Sequence, residues 1–192
     1  IQMNMTIENK LIPNLRFSEF EGEWSKKRLI ELSEKISDGI HSTPKYDEKG
    51  EYYFINGNNL VDNKIVFFDK TKKVNEEELK KHQFKIGNRT ILLSINGTIG
   101  NLAYYNNEKI ILGKSACYIN LTETVHKGFI FNTLKSNNII RFFTSELTGS
   151  TIKNLYLRTI KKTKIHLPSL PEQQKIASFI TTIQRFGRSL RD

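Results

Sequence analysis

The side chains of this sequence that could do chemistry lie in turn-like loops rich in hydroxyl, amide and cationic groups. Lysines and hydroxyls suit phosphate contacts, and an asparagine amide can both donate to and accept from the edge of adenine. The loops therefore predict contacts with nucleic acid, although each loop alone would also suit an ordinary solvated turn. The candidate residues are Ser42, Thr43, Lys45, Tyr46, Asn56, Asn58, Asn59, Lys72, Lys73, Asn96, Thr98, Lys114 and Ser115.

The sequence contains no motif of a self-contained active site. It lacks a GxxxxGK[ST] phosphate loop, an HExxH zinc motif and the Asn-Pro-Pro-aromatic motif of amino-methyltransferases. The glycine turn at 97–100 lacks the spacing of a dinucleotide-binding loop. The histidines are scattered without an acidic partner at local spacing, at His41, His82, His126 and His166. We therefore predict a protein that is not an enzyme and that has no cofactor or metal of its own.

The charge balance favours a polyanionic partner. The chain has 30 Lys and Arg against 20 Asp and Glu, which gives a net charge of +10. Such a surface favours nucleic acid first and an anionic membrane second. The single cysteine, Cys117, lies in an apolar run and is interpreted as a buried core thiol. No segment resembles a signal peptide or a membrane span, so we expect a cytoplasmic protein.

The segment from Lys153 to Lys164 carries five cations and no acidic residue. Leu155, Leu157 and Ile160 are expected to hold it against the body of the protein. The cations would then form one basic edge for phosphate contacts, which give affinity without sequence choice. A solubilising face is the alternative. The five cations are Lys153, Arg158, Lys161, Lys162 and Lys164.

The pattern of apolar runs predicts an α+β fold, with a mixed twisted β-sheet and helices packed to one side. One or two helices are predicted within 126–147, with a break near 136–138, and the basic segment is predicted as part strand and part connector. Leu29, Leu32 and Ile36 follow helical spacing and predict a short helix near Trp24. The strand-like runs are 52–55, 64–68, 90–95, 102–105, 109–112 and 116–121.

The last segment predicts a well-marked helix. Ser169 and Glu172 fit a capping box, and Pro171 falls in the first turn, where a missing N–H has no cost. Apolar residues then follow at steps of three and four, as in a coiled coil. Only about two heptads are present, so a helix folded back on its own domain is an equal alternative. The stripe comprises Ile176, Phe179, Ile180, Ile183, Phe186 and Leu190.

Several blocks of this sequence, taken in order, resemble specificity (S) subunits of Type I restriction–modification systems. The similarity spans about residues 13–183. Two positions depart from the family pattern, because Ile40 stands where a threonine is usual and Asn88 where an acidic residue is usual. The blocks are "IPNLRFSEFEGEW", "SDGIHSTPKY", "YYFINGNNLVDNKI", "KIGNRTILLSINGTIGNLAYY" and "GSTIKNLYLRTIKKTKIHLPSLPEQQKIASFI".

The resemblance implies a non-catalytic DNA reader. In the family, each target recognition domain reads one part of a bipartite, gapped DNA site, and paired helices space the two domains. Modification (M) subunits carry S-adenosylmethionine and methylate adenine, and restriction (R) subunits add ATP- and Mg-dependent translocation and cleavage. By this resemblance, residues 1–12 are an N-terminal tail, residues 13–166 a target recognition domain, and residues 167–192 a truncated spacer or dimerisation helix.

Two further interpretations remain open. The chain could be the recognition part of a fused restriction–methylation enzyme, or an interaction module that holds a protein partner through its terminal helix. If it is half of a specificity subunit, we expect it to pair with a second recognition half or with a second copy of itself. Double-stranded DNA, the M subunit and the R subunit are then the expected partners, with no membrane.

Overall fold

The computed structural model describes residues 12–82, 85–148 and 153–189. In chain order, the strands are β1 (Ser25–Arg28), β2 (Ser33–Asp38), β3 (Tyr52–Ile55), β4 (Leu60–Val61), β5 (Lys64–Ile65), β6 (Lys73–Val74), β7 (Thr90–Ser94), β8 (Leu102–Tyr104), β9 (Ile110–Leu112), β10 (Ala116–Leu121) and β11 (Lys164–Leu167). The helices are α1 (Glu76–Lys80), α2 (Lys127–Leu134), α3 (Asn137–Ser145), α4 (Leu157–Lys162) and α5 (Leu170–Ser189).

The centre of the domain is a four-stranded antiparallel sheet in the order β2–β10–β7–β8. Its middle strands are apolar on both faces. In β7, Ile91 and Leu93 face one core cluster and Leu92, between them, faces another. Successive side chains of a strand point to opposite faces, so this continuous apolar run requires cover on both sides of the sheet.

Helices cover the first face, as the sequence predicts. Helix α2 packs there, and the ring of Phe131 stacks on Tyr104 of β8 at 3.9 Å. Helices α3 and α4 contribute buried Phe143 and Ile160 to the same cluster. The break between α2 and α3 falls at residues 135 and 136, next to the predicted position.

A second, three-stranded sheet covers the other face, in the order β6–β3–β9. Strands β3 and β9 run parallel, and β6 runs antiparallel to β3. The α+β class is therefore confirmed, but the mixed pairing belongs to this smaller sheet and not to the main one. The buried residues between the sheets are Ile55, Leu60, Leu92, Ala103, Ile110, Leu112, Ala116 and Tyr118.

The predicted helix around Leu29, Leu32 and Ile36 is wrong. Only Leu29–Leu32 form a 3-10 turn, and Ile36 lies in β2, where it pairs with Ile119 of β10. All three side chains are buried, but the sheet rather than a helix buries Ile36. Three apolar residues at helical spacing are too few to outweigh strand pairing with a buried neighbour.

The predicted strand and connector before residue 164 is also wrong in part. Residues Leu157–Lys162 form helix α4, which buries Ile160, and a strand appears only at β11. Strand β11 pairs antiparallel with β1, from Ser25 opposite Leu167 to Arg28 opposite Lys164. This pairing brings the end of the domain back to its beginning.

A buried carboxylate fixes the start of α5. Glu172 is fully buried, and its two carboxylate oxygens accept hydrogen bonds of 2.7 Å from the guanidinium of Arg16. The indole N–H of Trp24 also donates to this carboxylate, at 3.2 Å. The predicted capping box is therefore wrong, because Glu172 binds the N-terminal segment and not the backbone at Ser169. A buried carboxylate is stable only when its oxygens are paired in this way.

The next residue fixes α5 to helix α2. The side chain of Gln173 is buried, and its oxygen accepts from the backbone N–H of His126 at 2.8 Å. Its amide nitrogen donates to the carbonyl of Pro168 at 2.9 Å. Ala177, one turn later, is buried in the main core. No helix within the described ranges is both long and apolar enough to cross a membrane.

A buried asparagine organises the turn after β3. Asn59 is 4% exposed; its oxygen accepts from the backbone N–H of Asn56, and its nitrogen donates to the carbonyl of Val66, each at 2.9 Å. The hydroxyl of Ser115 donates to the side chain of Asn56 at 2.9 Å and accepts from the N–H of Gly57 at 2.9 Å. These bonds hold the turn against the β9–β10 loop.

We predict that Glu172→Ala lowers the thermal midpoint of unfolding by about 5 °C or more, because it leaves a guanidinium and an indole N–H without their acceptor. Differential scanning calorimetry measures this change. Gln174→Ala, at an exposed position on the same helix, is the matched control. Equal midpoints for the two variants would contradict the anchoring role of Glu172.

We also predict that Asn59→Ala lowers the free energy of unfolding by about 2 kcal/mol, since a partly buried N–H and a partly buried carbonyl lose their partners. Urea denaturation measures the loss. Asn58→Ala, one residue earlier and exposed, is the control and should change stability by less than about 0.5 kcal/mol. A similar loss in both variants would contradict the role of the Asn59 hydrogen bonds in holding the turn.

Candidate nucleic-acid interface

Three loops leave the central sheet at the same end. Strand β2 ends at Asp38, β7 ends at Ser94 and β10 begins at Ala116. Because β10 runs antiparallel to both neighbours, Asp38 lies opposite Cys117, and Ser94 lies opposite Ala116. The loops after β2 and β7 and the loop before β10 therefore share one edge.

Backbone hydrogen bonds tie these loops together. The N–H of Ile40 donates to the carbonyl of Leu112 at 2.7 Å, and the N–H of Ile95 donates to Ser115 at 2.9 Å. The N–H of Leu155 then donates to the carbonyl of Ile95 at 2.9 Å. Leu155 is itself buried, so the segment before α4 is fixed against the loop after β7. Four separate stretches of sequence thereby form one rigid surface.

A cleft of about 650 Å³ opens between these loops. Its apolar floor includes Ile95, Leu155 and Leu157, and its walls are polar and charged. The polar and aromatic lining residues are Asp38, His41, Asn96, Lys114, Asn154, Tyr156 and Arg158. An open cleft with cations, amides and an aromatic ring has the groups that contact phosphates and base edges.

An arginine–tyrosine pair forms one wall of the cleft. The guanidinium of Arg158 lies 5.1 Å from the centroid of the Tyr156 ring, in a cation–π contact. The ring is 47% exposed. The contact limits the freedom of a long side chain, so that Arg158 presents its cation at a defined place. Arg158 was predicted from the sequence, and Tyr156 was not.

A histidine–aspartate pair also belongs to the lining. His41 Nε2 and Asp38 Oδ2 are 2.8 Å apart. The prediction that His41 has no acidic partner at local spacing is wrong. Asp38 precedes it by three residues, and the intervening turn at Gly39 brings the two side chains together. The i, i+3 spacing across a glycine was the signal that could have revealed the pair.

The structure brings several predicted residues to this end of the sheet. Asn96, Lys114 and Arg158 line the cleft. Lys153 is exposed beside it, where its carbonyl accepts from the N–H of Gly97 at 3.2 Å. The predicted residues that are exposed in the adjoining loops are Ser42, Thr43, Lys45, Asn58 and Thr98.

The loop with Ser42 and Thr43 is anchored at its far side. Tyr46 packs its ring against Phe54 at 5.9 Å, although 42% of its side chain is exposed. A backbone hydrogen bond from Lys45 reaches the buried carboxylate of Glu78. The hydrogen bond from Lys81, above all, holds the pKa of Glu78 below its usual value. The loop is thereby held by a charged anchor on α1.

Asn56, Asn59 and Ser115, predicted as DNA contacts, have structural roles in the turn, and whether they also contact DNA stays a prediction. Their side chains bond one another, the neighbouring backbone and Val66, and Asn59 is buried. A base edge would have to compete with these intramolecular bonds. Of the predicted residues in the turn after β3, Asn58 is the exposed one.

Lys72 and Lys73 lie apart from the cleft, at the edge strand of the smaller sheet. The ammonium of Lys73 lies 4.9 Å from the centroid of the Tyr53 ring, which stacks on Phe67 at 4.2 Å. Lys72 is exposed, while its carbonyl accepts from the N–H of Phe54. Whether these lysines contact DNA stays a prediction.

The basic segment does not form one edge. Lys161 is half-buried on α4 and Lys162 is exposed at its end, but Lys164 lines a separate groove with His166 and Ile180. The chain turns between α4 and β11, because β11 pairs antiparallel with β1. Lys164 therefore lies on a different element from Lys161 and Lys162. The prediction of a single basic edge is therefore wrong at Lys164.

Cys117 lies inside the sheet behind the cleft. Burial raises the pKa of its thiol, the charge of Asp38 adds to the rise, and the charge of Lys161 opposes it. The prediction of a buried core thiol is confirmed. In the described ranges, no group of three or more His, Cys, Asp and Glu side chains could hold a metal ion.

The apolar stripe of α5 divides into two parts. Ile176 and Ile180 are partly buried against the domain. Phe179, Ile183 and Phe186 are 51%, 53% and 67% exposed. Ile176 and Ile180 therefore fold back on the domain, while the other three side chains keep about half or more of their surface exposed. Leu190, the last predicted member, lies outside the described residues.

The N-terminal segment continues this exposed apolar surface. The ring of Phe17 packs edge-on against Phe179 at 5.5 Å, and Leu15 is 90% exposed. A shallow groove of about 310 Å³ runs between this segment and α5. Lys175 and Glu19 form an ion pair of 3.2 Å beside it.

Known proteins resemble this chain in sequence and in fold. A Mycoplasma pneumoniae protein that bears the name of a type I specificity subunit is 24% identical over 166 residues, which cover 86% of this chain and 44% of that protein. The crystal structure of a Type I restriction–modification S subunit from M. genitalium matches 85% of this chain and 39% of that one, with a TM-score of 0.59 and 21% identity.

A further solved structure comes from work on complex assembly and conformational transition of the type I R-M system. It matches 90% of this chain and 41% of its own, with a TM-score of 0.68 and 18% identity. At these identities the likeness shows the fold, and this chain spans less than half the length of each relative. The sequence family is shown separately, because residues 21–189 match the model of the Type I restriction modification DNA specificity domain. The chain therefore belongs to the family of Type I restriction–modification specificity domains.

Proposed function

We propose that this domain recognises DNA sequence, as one target recognition half of a Type I specificity subunit. The observation that carries the proposal is the cleft at one end of the central sheet, where four loops bring cations, amides and an aromatic ring together. In this reading, the domain contacts one part of a bipartite site. A partner half would contact the other part, since the chain covers only 44% of its M. pneumoniae relative.

The groups in and beside the cleft suggest a division of labour. Lys114, Arg158 and Lys153 carry charge that attracts phosphates, and such contacts position a protein without reading sequence. Asn96 and the exposed Asn58 carry amides, which suit base edges in the major groove. The net charge of +10 adds a long-range attraction to DNA.

We further propose that the domain is not catalytic and that its partners supply the chemistry. S-adenosylmethionine would then bind to the M subunit, and ATP and Mg to the R subunit. The cytoplasm, where this DNA and these subunits meet, is the proposed location.

Helix α5 is proposed to pair with a second helix. Phe179, Ile183 and Phe186 keep half or more of their surface exposed, and paired helices would bury such a stripe. The second helix belongs either to another recognition half or to another copy of this chain. The same stripe would serve a protein-interaction module that never reads DNA sequence, which is the competing function.

Selection of duplexes from random DNA, with the M subunit present, tests the function. We predict enrichment of a short motif, and we predict that Asn96→Ala reduces the preference at part of that motif by about tenfold, as the loss of a bidentate amide contact would. Asn106→Ala is the control. This asparagine follows the end of β8, whereas Asn96 precedes its beginning, and it lies outside the cleft. Binding without any enriched motif would favour the interaction module.

We predict that the chain alone forms a dimer through α5, with a mass twice that of the 22.3 kDa protomer. Ile183→Asp with Phe186→Asp should return it to a monomer, because two charges would be buried in the helix pair. Light scattering measures the mass. Thr181→Asp with Gln184→Asp, at exposed positions with the same spacing, is the control that adds the same two negative charges. A monomeric wild type, alone and with the M subunit, would exclude self-pairing.

A further inference from the structure

The Asp38–His41 pair has a defined hydrogen-bond polarity. An ionised carboxylate can only accept, so the 2.8 Å contact requires that His41 Nε2 carries the hydrogen. In the neutral imidazole, the other ring nitrogen, Nδ1, is then an acceptor. The aspartate thus selects one tautomer of the histidine.

The backbone around the pair is held tightly. The N–H of Gly39 donates to Ala116 at 3.1 Å, and the N–H of Ile40 donates to Leu112 at 2.7 Å. A Cβ at Gly39 would lie 2.1 Å from the carbonyl oxygen of Leu112, so only glycine allows this close approach. The turn that joins Asp38 to His41 is therefore fixed to two neighbouring strands.

The ring is oriented outward while its partner is sheltered. The side chain of His41 is 71% exposed, and that of Asp38 is 20% exposed. Both line the cleft that also contains Lys114, Arg158 and Asn96. A ligand in the cleft can therefore reach the imidazole while the carboxylate holds it from behind.

The charges in the cleft favour a base edge over a phosphate at this point. The Asp38 carboxylate stands behind the ring and repels a phosphate at this point, whereas Lys114 and Arg158 in the same lining attract one. These cations can only donate, and they cannot pair with an exocyclic amine. An acceptor at His41 Nδ1 complements them.

We propose that His41, oriented by Asp38, accepts a hydrogen bond from the exocyclic amine of an adenine or a cytosine in the major groove. These two amines are the donors that base pairs present there, at adenine N6 and cytosine N4. His41 is thus a specificity-determining residue, and Asp38 is its positioning residue. The inference rests on the proposed DNA-reading function and adds one contact to it.

The test is selection from random duplex DNA by the chain with its M subunit, for wild type, His41→Ala and His41→Lys. One position of the wild-type motif should prefer adenine or cytosine by about tenfold. Both variants should lose the preference at that position and keep the rest of the motif, because alanine has no hydrogen-bonding group and lysine has only donors. His166→Ala, at an exposed histidine outside the cleft, should leave the motif unchanged.

Two outcomes would overturn the inference while the DNA-reading function stands. An unchanged motif in His41→Ala would show that the imidazole reads no base. A uniform loss of affinity in His41→Ala that His41→Lys restores would show a phosphate contact instead. A wild type that enriches no motif would instead overturn the proposed function, so the two failures are distinguishable.

Discussion

The rest of the structure depends on the burial of both faces of strands β7 and β10. Ile91 and Leu93 pack under the helices, and Leu92 packs under the smaller sheet. A shift of the strand pairing by one residue would move every side chain of β7 to the other face of the sheet. The register is therefore strongly specified. With the register fixed, the ends of β2, β7 and β10 coincide. The loops that form the cleft therefore have one relative arrangement, which is the preorganisation that reading a base edge requires.

A second constraint connects the cleft to the terminal helix. Glu172 and Gln173 are adjacent and buried, yet they bind different parts of the domain, the N-terminal segment and the start of α2. Two divergent anchors at one end determine both the position and the direction of α5. The proposed pairing of α5 with a second helix requires that its direction relative to the cleft is fixed. The Pro-Glu-Gln-Gln block therefore anchors α5 rigidly to the domain and does not act as a helix cap.

Local sequence was a good guide where local and tertiary forces agree. The ranges of β3 and β10 were predicted to the residue, and α2 and α3 were predicted as a broken pair, because their apolar runs are continuous and bounded by turn formers. The prediction for the basic segment was wrong at α4, because the many cations obscured a short helical pattern. Ile160, in that helix, is buried. The candidate site was predicted in part. Asn96, Lys114 and Arg158 line the cleft. The hydrogen bond of Ser115 to the side chain of Asn56 joins residues that are 59 positions apart, so no local pattern could have revealed it.

The sequence by itself determined the family, the α+β class, the cationic balance and the loops that carry polar groups, since all of these are properties of composition and order. Tertiary structure alone decided which of those polar groups face a ligand. An amide at the end of a strand satisfies its hydrogen bonds either within the protein or with something outside it, and long-range packing makes that choice. Packing turned Asn59 inward, left Asn58 exposed, and placed His41 with Asp38 at the mouth of a cleft.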